Sequence, residues 1–247
     1  MQNFRVVIPA RYASMRLPGK PLAEIAGLPM IVHVYRRAVA SGAAEVLIAT
    51  DDDRIAAAAS AHGARVEMTA ARHQSGTDRI AEVAERLQWR DEDIVVNVQG
   101  DEPLIPPAVI EQVANLLAAN AEASIATLTT RLAHAGEFVD ANTAKVVVDR
   151  AGHAMYFSRA PIPHPREGGI PPGVRRHVGL YAYRVDSLRV LASTAVCQLE
   201  EIEKLEQLRA LWLGMKIVVA DACEAPPGGV DTPADLEAVR AQVASRG

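Results

Sequence analysis

Cysteine is scarce: the 247 residues include two, Cys197 and Cys223. They form no CxxC pair and have no histidine-rich surroundings, which argues against a zinc site. Two thiols without a framework suit a reducing compartment, so a cytoplasmic location is expected. The opening MQNFRVVIPARYAS lacks the long apolar core and small-residue cleavage site of a signal peptide. No apolar run approaches the length that crosses a bilayer, so no membrane insertion is expected. A basic surplus is also missing. The formal charge is −4, with 26 Lys and Arg against 30 Asp and Glu, which disfavours a general nucleic-acid binder. Any polyanionic ligand must therefore meet a local cluster of cations. Neither GxxxxGK[ST] nor GxGxxG occurs, which sets aside a Walker loop and a dinucleotide cofactor.

What is present is ordinary globular composition, 49% hydrophobic and 23% charged, in a length that suits one large α/β domain. Strand-like and helix-like stretches alternate through the first half. Strands are expected at Phe4–Pro9, Glu45–Ala49, Ala64–Met68, Asp93–Val98 and Ser124–Leu128. Helices are expected at Pro29–Ala40, Asp53–Ala61, Thr77–Leu87 and Pro107–Leu117. This alternation implies a largely parallel sheet covered by helices on both faces. The second half is less regular. Ala144–Val148 and His153–Phe157 flank a DRAG turn and predict a hairpin. Pro161–Gly173 reads as a loop and Val178–Tyr183 as a strand. Leu199–Leu213 reads as one long helix with Ile202, Leu205, Leu208 and Trp212 inward, followed by a strand at Met215–Ala220. Thr232, Pro233 and Asp235 announce a capped final helix. We expect one domain over residues 1–247, with a hairpin-containing subdomain at about 130–200.

Four segments carry candidate chemistry. The loop after the first strand, IPARYASMRLPGKPL, holds Arg11, Ser14, Arg16 and Lys20 beyond a strand's carboxyl end, where open α/β sheets bind ligands. Fixed cations and close backbone amides there suit a triphosphate, although charge runs are usually solvated surface. HQSGTDRIAEVAE offers Ser75, Gly76 and Thr77 to a base edge, or Ser75 or Thr77 simply as a helix cap. VVNVQGDEP sets Gln99 and Asp101 just past a central strand, and GGVDTPADL sets Asp231 in a turn before a helix. Two such aspartates suit a magnesium ion shared with phosphates, while a plain turn role is open for Asp231. Asp51, Asp52 and Asp53 read as solvated turn residues. Arg159 in SRAPIP, His177 and Tyr181 in HVGLYAYR, and Glu206 and Gln207 in EKLEQLR suit an acidic, hydroxylated ligand. On spacing alone the ordinary readings, such as a Glu206–Arg209 pair, are favoured for them.

In motif and order, these segments resemble the 3-deoxy-manno-octulosonate cytidylyltransferases from Phe4 to about Val239. Acylneuraminate cytidylyltransferases are relatives, but their first loop reads closer to IPARGGSKGIPxKN. The resemblance implies a Rossmann-like nucleotide-diphospho-sugar transferase fold. It implies CTP and 3-deoxy-D-manno-octulosonate (Kdo) as substrates, Mg²⁺ as cofactor and a cytoplasmic homodimer serving lipopolysaccharide biosynthesis. By the same resemblance, Arg11, Ser14 and Lys20 contact phosphates with Arg16 in support, and Gln74, Ser75 and Gly76 meet cytosine and ribose. Asp101 and Asp231 bind the metal, and Gln99 lies between nucleotide and sugar. Arg159, His177, Tyr181, Glu206 and Gln207 surround the sugar. His73 receives no catalytic role. The chain departs from relatives at His164, where an aromatic often follows SRxxIP, and in HPREGGIPPG. Rival readings are a cytidylyltransferase for 8-amino-Kdo or a sialic acid, and a non-catalytic nucleotide sensor.

Overall fold

A computed structural model describes residues 3–13, 17–73 and 75–245. Strand β1 (Phe4–Ala10) is the expected apolar run. Val6 and Ile8 enter the core on one face of the sheet and Val7 the core on the other. A short 3-10 turn at Lys20–Leu22 and two-residue strands β2 (Glu24–Ile25) and β3 (Leu28–Pro29) lead into α1 (Met30–Val39). The alternation then runs β4 (Glu45–Thr50), α2 (Asp53–Ser60), β5 (Arg65–Met68), α3 (Gly76–Arg86), β6 (Ile94–Asn97), α4 (Pro107–Ala119) and β7 (Ile125–Arg131). The rest comprises the hairpin β8 (Lys145–Val148) and β9 (Ala154–Ser158), then β10 (Arg175–Arg184), α5 (Val185–Ser193), α6 (Gln198–Glu203), α7 (Gln207–Trp212), β11 (Ile217–Asp221) and α8 (Pro233–Ala244).

Seven strands lie side by side in the order β11-β7-β10-β6-β1-β4-β5. All run the same way except β10, which is antiparallel to both β6 and β7. The expected α/β sheet is therefore present. Helices cover both faces: Ile31 and Val34 of α1 and Val109 and Val113 of α4 fill one core. Ile80 and Val83 of α3, Leu188 of α5 and Leu208 of α7 fill the other. Burying each such aliphatic side chain contributes about 1.5–3 kcal/mol. The hairpin joins off this path, β8 pairing with the first residues of β10 and β9 with β8. Strand β10 begins at Arg175 rather than Val178 because its first residues pair with the end of β7 as well as with β8. At the C-terminal end, α8 opens on the expected cap: Thr232 accepts from the Asp235 amide, and Asp235 reciprocates on the Thr232 amide.

The long helix expected over Leu199–Leu213 is two short ones. Lys204 is left-handed (φ 53°) and separates α6 from α7. The Arg159 guanidinium donates from Nε to the Glu203 carbonyl at 2.7 Å, satisfying an end of α6 that helix continuation would otherwise cover. The break removes the common face. Leu205 and Leu208 are buried, but Ile202 is 71% and Trp212 62% exposed.

Candidate active site

The parallel strands β1, β4 and β6 end at one edge, and a cavity of about 880 Å³ opens there. Arg11, Ala13 and Lys20 contribute one wall, from the loop after β1. This loop is closed at its base: the Gly19 amide donates to the Tyr12 carbonyl at 3.2 Å, with Gly19 at φ 70°, a conformation glycine adopts without a Cβ clash. Gly19 also leaves room for the Tyr12 ring, whose atoms would lie 3.2 Å from any added Cβ. From the opposite side come His73, Ser75, Gly76 and Arg79, around the start of α3, with Gln99, Gly100 and Asp101 below them after β6.

Lys20, Asp101 and Asp231 converge. Lys20 Nζ donates to Asp101 Oδ2 at 2.6 Å and to Asp231 Oδ1 at 3.2 Å, although the two acids are far apart in sequence. Asp231 is brought in by its turn: the Val230 amide donates to the Asp101 carbonyl at 2.8 Å. Gly100 brings the other acid close to β1, since a Cβ there would sit 2.9 Å from the Pro9 carbonyl oxygen. Both carboxylates keep solvent access, with side chains 29% and 48% exposed. Beside them, burial first and the Asp101 charge second push the Glu102 carboxyl up to about 8, against the pull of Arg176.

The start of α3 does several things at once. Ser75 serves the cap, its hydroxyl accepting from the Asp78 amide at 3.1 Å, so the helix-capping reading of this segment holds for that oxygen while the residue also lines the cavity. Thr77 does not cap. Its hydroxyl donates to Glu206 Oε2 at 2.6 Å, tying α3 to the residue before α7. Arg79, which the sequence reading passed over, is nearly buried, donating to Thr69 Oγ1 and facing Asp51 Oδ1 at 3.4 Å. Of the acidic run after β4, expected as solvated turn residues, Asp51 faces the buried Arg79, Asp52 caps α2 and pairs with Arg54, and Asp53 is the first residue of α2. Ser14, Arg16 and Gln74 lie outside the described residues.

The residues expected around a sugar do not line this cavity: His177 and Tyr181 lie on β10, and Arg159, Glu206 and Gln207 lie around the α6–α7 break. His177 meets Thr127 Oγ1 at 3.0 Å and packs edge-on against Phe157, with Tyr181 on its other side. Surrounding protein pushes its pKa down to about 3, helped by Arg176, so the ring is neutral. Burial also raises the Tyr181 phenol well above its usual range, with Tyr183 and Glu206 adding to the shift. Both Glu206 oxygens are engaged, one by Thr77 and one by Arg209 at 2.9 Å, so the ordinary ion-pair reading holds. Gln207 is buried, and its Nε2 has no hydrogen-bond partner among the described residues; the same is true of Asn97 Oδ1 on β6, opposite Tyr181. Arg159 stands apart. Its donors reach the carbonyls of Glu203, Ala141 and Lys204, bracing the helix break.

Comparison with known proteins gives the family. The chain matches the model of the cytidylyltransferase family over residues 5–217. A 3-deoxy-manno-octulosonate cytidylyltransferase of Cellvibrio japonicus is 56% identical over 248 residues, covering 97% of each chain. One of Hahella chejuensis is 54% identical over 99% of each. Among solved structures, CMP:2-keto-3-deoxy-manno-octonic acid synthetase complexed with CTP matches with a TM-score of 0.92 at 44% identity, over the whole of both chains. A Leptospira borgpetersenii cytidylyltransferase shares the fold, with a TM-score of 0.66 at 17% identity. A match at this level along nearly the whole length, over a site that gathers Lys20 with two aspartates, places the chain in the 3-deoxy-manno-octulosonate cytidylyltransferases, nucleotidyltransferases of the cytidylyltransferase family.

Proposed function

We propose that the protein joins CMP from CTP to Kdo, releasing pyrophosphate, in the cytoplasm and for lipopolysaccharide biosynthesis. One observation carries this reading: the Lys20 ammonium sits between Asp101 and Asp231 at the bottom of the cavity that Arg11 and the start of α3 enclose. A cation already occupies the point where the two carboxylates meet. No group of three or more His, Cys, Asp or Glu side chains that could hold a metal forms among the described residues. Two accessible carboxylates without further protein ligands fit Mg²⁺, which keeps several waters and takes its remaining oxygens from substrate phosphates. Asp101 and Asp231 would hold it, and when bound it supplies charge neutralisation on the triphosphate.

The reaction in this reading is attack by the anomeric 2-hydroxyl of Kdo on the α-phosphorus of CTP. A new oxygen–phosphorus bond forms as the bond to pyrophosphate breaks, and the hydroxyl proton is released to water. Catalysis is then chiefly positioning and electrostatic stabilisation. Lys20 moves from the carboxylates to the triphosphate, and Arg11 and Gln99 flank it from the cavity wall. Ser75 and Gly76 present their backbone to the nucleoside. On the sugar side, a neutral His177, Tyr181, Glu206 and Gln207 supply hydrogen bonds to hydroxyls. An Arg159 contact with the sugar carboxylate requires that side chain to leave its carbonyls.

Two further features belong to this proposal. Residues 130–200 act as a sugar-binding and dimerisation subdomain of one domain. A homodimer is supported by where large apolar side chains remain exposed. Among the described residues, Val139, Met155, Ile170, Val190, Val196, Leu199, Ile202 and Trp212 all lie in the second half, and only Val39 and Met68 lie outside it. No described helix is long and apolar enough to cross a membrane. Pyrophosphate release tests the activity, with CTP or UTP crossed against Kdo, 8-amino-Kdo and N-acetylneuraminate. Release is expected with CTP and Kdo together. No release with that pair would refute the reading.

A further inference from the structure

The His73 ring lines the cavity at the start of α3, and Glu82 holds it from behind, one turn and a half along the same helix. Glu82 also accepts from the Ala70 amide at 2.9 Å and pairs with Arg86. Burial alone would raise its pKa, but the Ala70 amide, His73 and Arg86 together outweigh that and hold the carboxyl below the ordinary glutamate range. Glu82 is therefore an ionised, acceptor-only group, and the imidazole nitrogen facing it, Nε2, must carry the hydrogen. In the neutral ring this leaves Nδ1 as a lone-pair acceptor. Nδ1 makes no hydrogen bond among the described residues.

The position of this acceptor relative to the charged floor gives it a partner. Pro9, at the end of β1, lies between the two halves of the cavity: its ring is against Gly76, and its carbonyl is against Gly100. Lys20, Asp101 and Asp231 lie on the Gly100 side, where a polyphosphate belongs. His73 and Gly76 lie on the other, where the uncharged end of the nucleotide must go. Cytosine and uracil differ there at position 4, an exocyclic amino donor in cytosine and a carbonyl oxygen in uracil, and at N3, an acceptor in cytosine and an N–H donor in uracil. A fixed acceptor that faces position 4 pairs with the amino group and repels the carbonyl oxygen.

We infer that His73, with its tautomer set by Glu82, is a specificity-determining residue that accepts a hydrogen bond from the 4-amino group of cytosine and so selects CTP over UTP. This rests on the nucleotide-binding reading above. It is tested by binding as well as turnover, so that failure of the sugar reaction leaves it measurable. Calorimetric titration of the full chain with CTP and with UTP, in magnesium-containing buffer, gives the preference directly. His73→Leu is expected to narrow that preference about tenfold, the scale of one hydrogen bond. His73→Asn places an amide oxygen near the Nδ1 position and is expected to restore most of it, an effect that a purely structural role would not produce. In Glu82→Gln the amide can also donate, which frees the other tautomer, and the preference should fall by severalfold with unchanged folding. An unchanged CTP-to-UTP ratio in His73→Leu, or equal ratios in His73→Leu and His73→Asn, would overturn the assignment. Should His73→Leu fail to fold, an unchanged ratio in Glu82→Gln does the same.

Discussion

Gly100→Ala is the most discriminating perturbation of the site, because its effect comes from a single distance. The new Cβ would lie 2.9 Å from the Pro9 carbonyl oxygen, with Ile31 Cδ1 at 3.4 Å and Ala10 Cβ at 3.7 Å. Carbon–oxygen contacts across strands normally sit at about 3.3–3.6 Å, so the turn after β6 must retreat from β1 by roughly half an ångström. Neither strand end has slack, since β1 and β6 are paired through Val7 and Asn97. Overpacking of this kind costs about 1–3 kcal/mol. The next residue is Asp101, whose carboxylate lies 2.6 Å from Lys20. A shift of that size in a positioning group should lower turnover by about tenfold or more, since a full ångström costs about a hundredfold. Urea unfolding would measure the stability, and pyrophosphate release the rate. Gly63→Ala is the control. Gly63 has φ 78° and nothing within 4 Å of where a Cβ would stand, so it should lose about 1 kcal/mol through backbone strain and keep full turnover. A Gly100→Ala protein with normal stability and normal rate would show that the close approach of β6 to β1 does not set the site.

Lys20→Ala and Asp101→Asn should each reduce pyrophosphate release by at least about a hundredfold while leaving the thermal midpoint nearly unchanged, since in the proposed reaction both groups act on the reacting phosphates; near-normal kinetics from either purified variant would remove its assigned role. Lys145 is fully buried, and its ammonium donates to the carbonyls of Asp140, Thr143 and Arg159 at 2.6–3.0 Å. Lys145→Met leaves all three without their donor and should cost about 3–5 kcal/mol in urea unfolding; a loss below about 1 kcal/mol would mean that those carbonyls find other partners. His177 has a pKa pushed from 6.5 down to about 3 in the fold. The unfolded chain therefore takes up a proton first as pH falls, and the stability it contributes is complete above 6.5 and erodes toward 3. Between pH 6.5 and 5 the wild type should lose about 2 kcal/mol more than His177→Gln, and parallel denaturation curves for the two proteins would contradict this.

Features fixed by neighbouring residues were legible in the sequence. Thr232 with Asp235, the apolar run of β1 and the alternation through β7 depend on capping, burial and period, all visible within a few positions. The convergence of Lys20, Asp101 and Asp231 was legible through the family motifs, because no local rule links residues so distant along the chain. The direction of β10 was not legible. An apolar run records burial but not polarity, and this strand enters antiparallel between β6 and β7. That reversal sets Tyr181 opposite Asn97. Ser14, Arg16 and Gln74, also read as site residues, lie outside the described segments.

The break at Lys204 was hidden for a different reason. No glycine or proline marks it, and the spacing of Ile202, Leu205, Leu208 and Trp212 suits an unbroken helix. The left-handed turn is supported by a tertiary contact, Arg159 on the Glu203 and Lys204 carbonyls, which local propensity cannot encode. The break has a consequence at the site. With α6 ended at Glu203, Glu206 stands just before α7 and accepts from Thr77, one residue beyond the Gly76 that lines the cavity. Arg159 therefore braces the break that precedes Glu206, and Glu206 in turn ties the start of α7 to α3 through Thr77, without either residue lining the cavity.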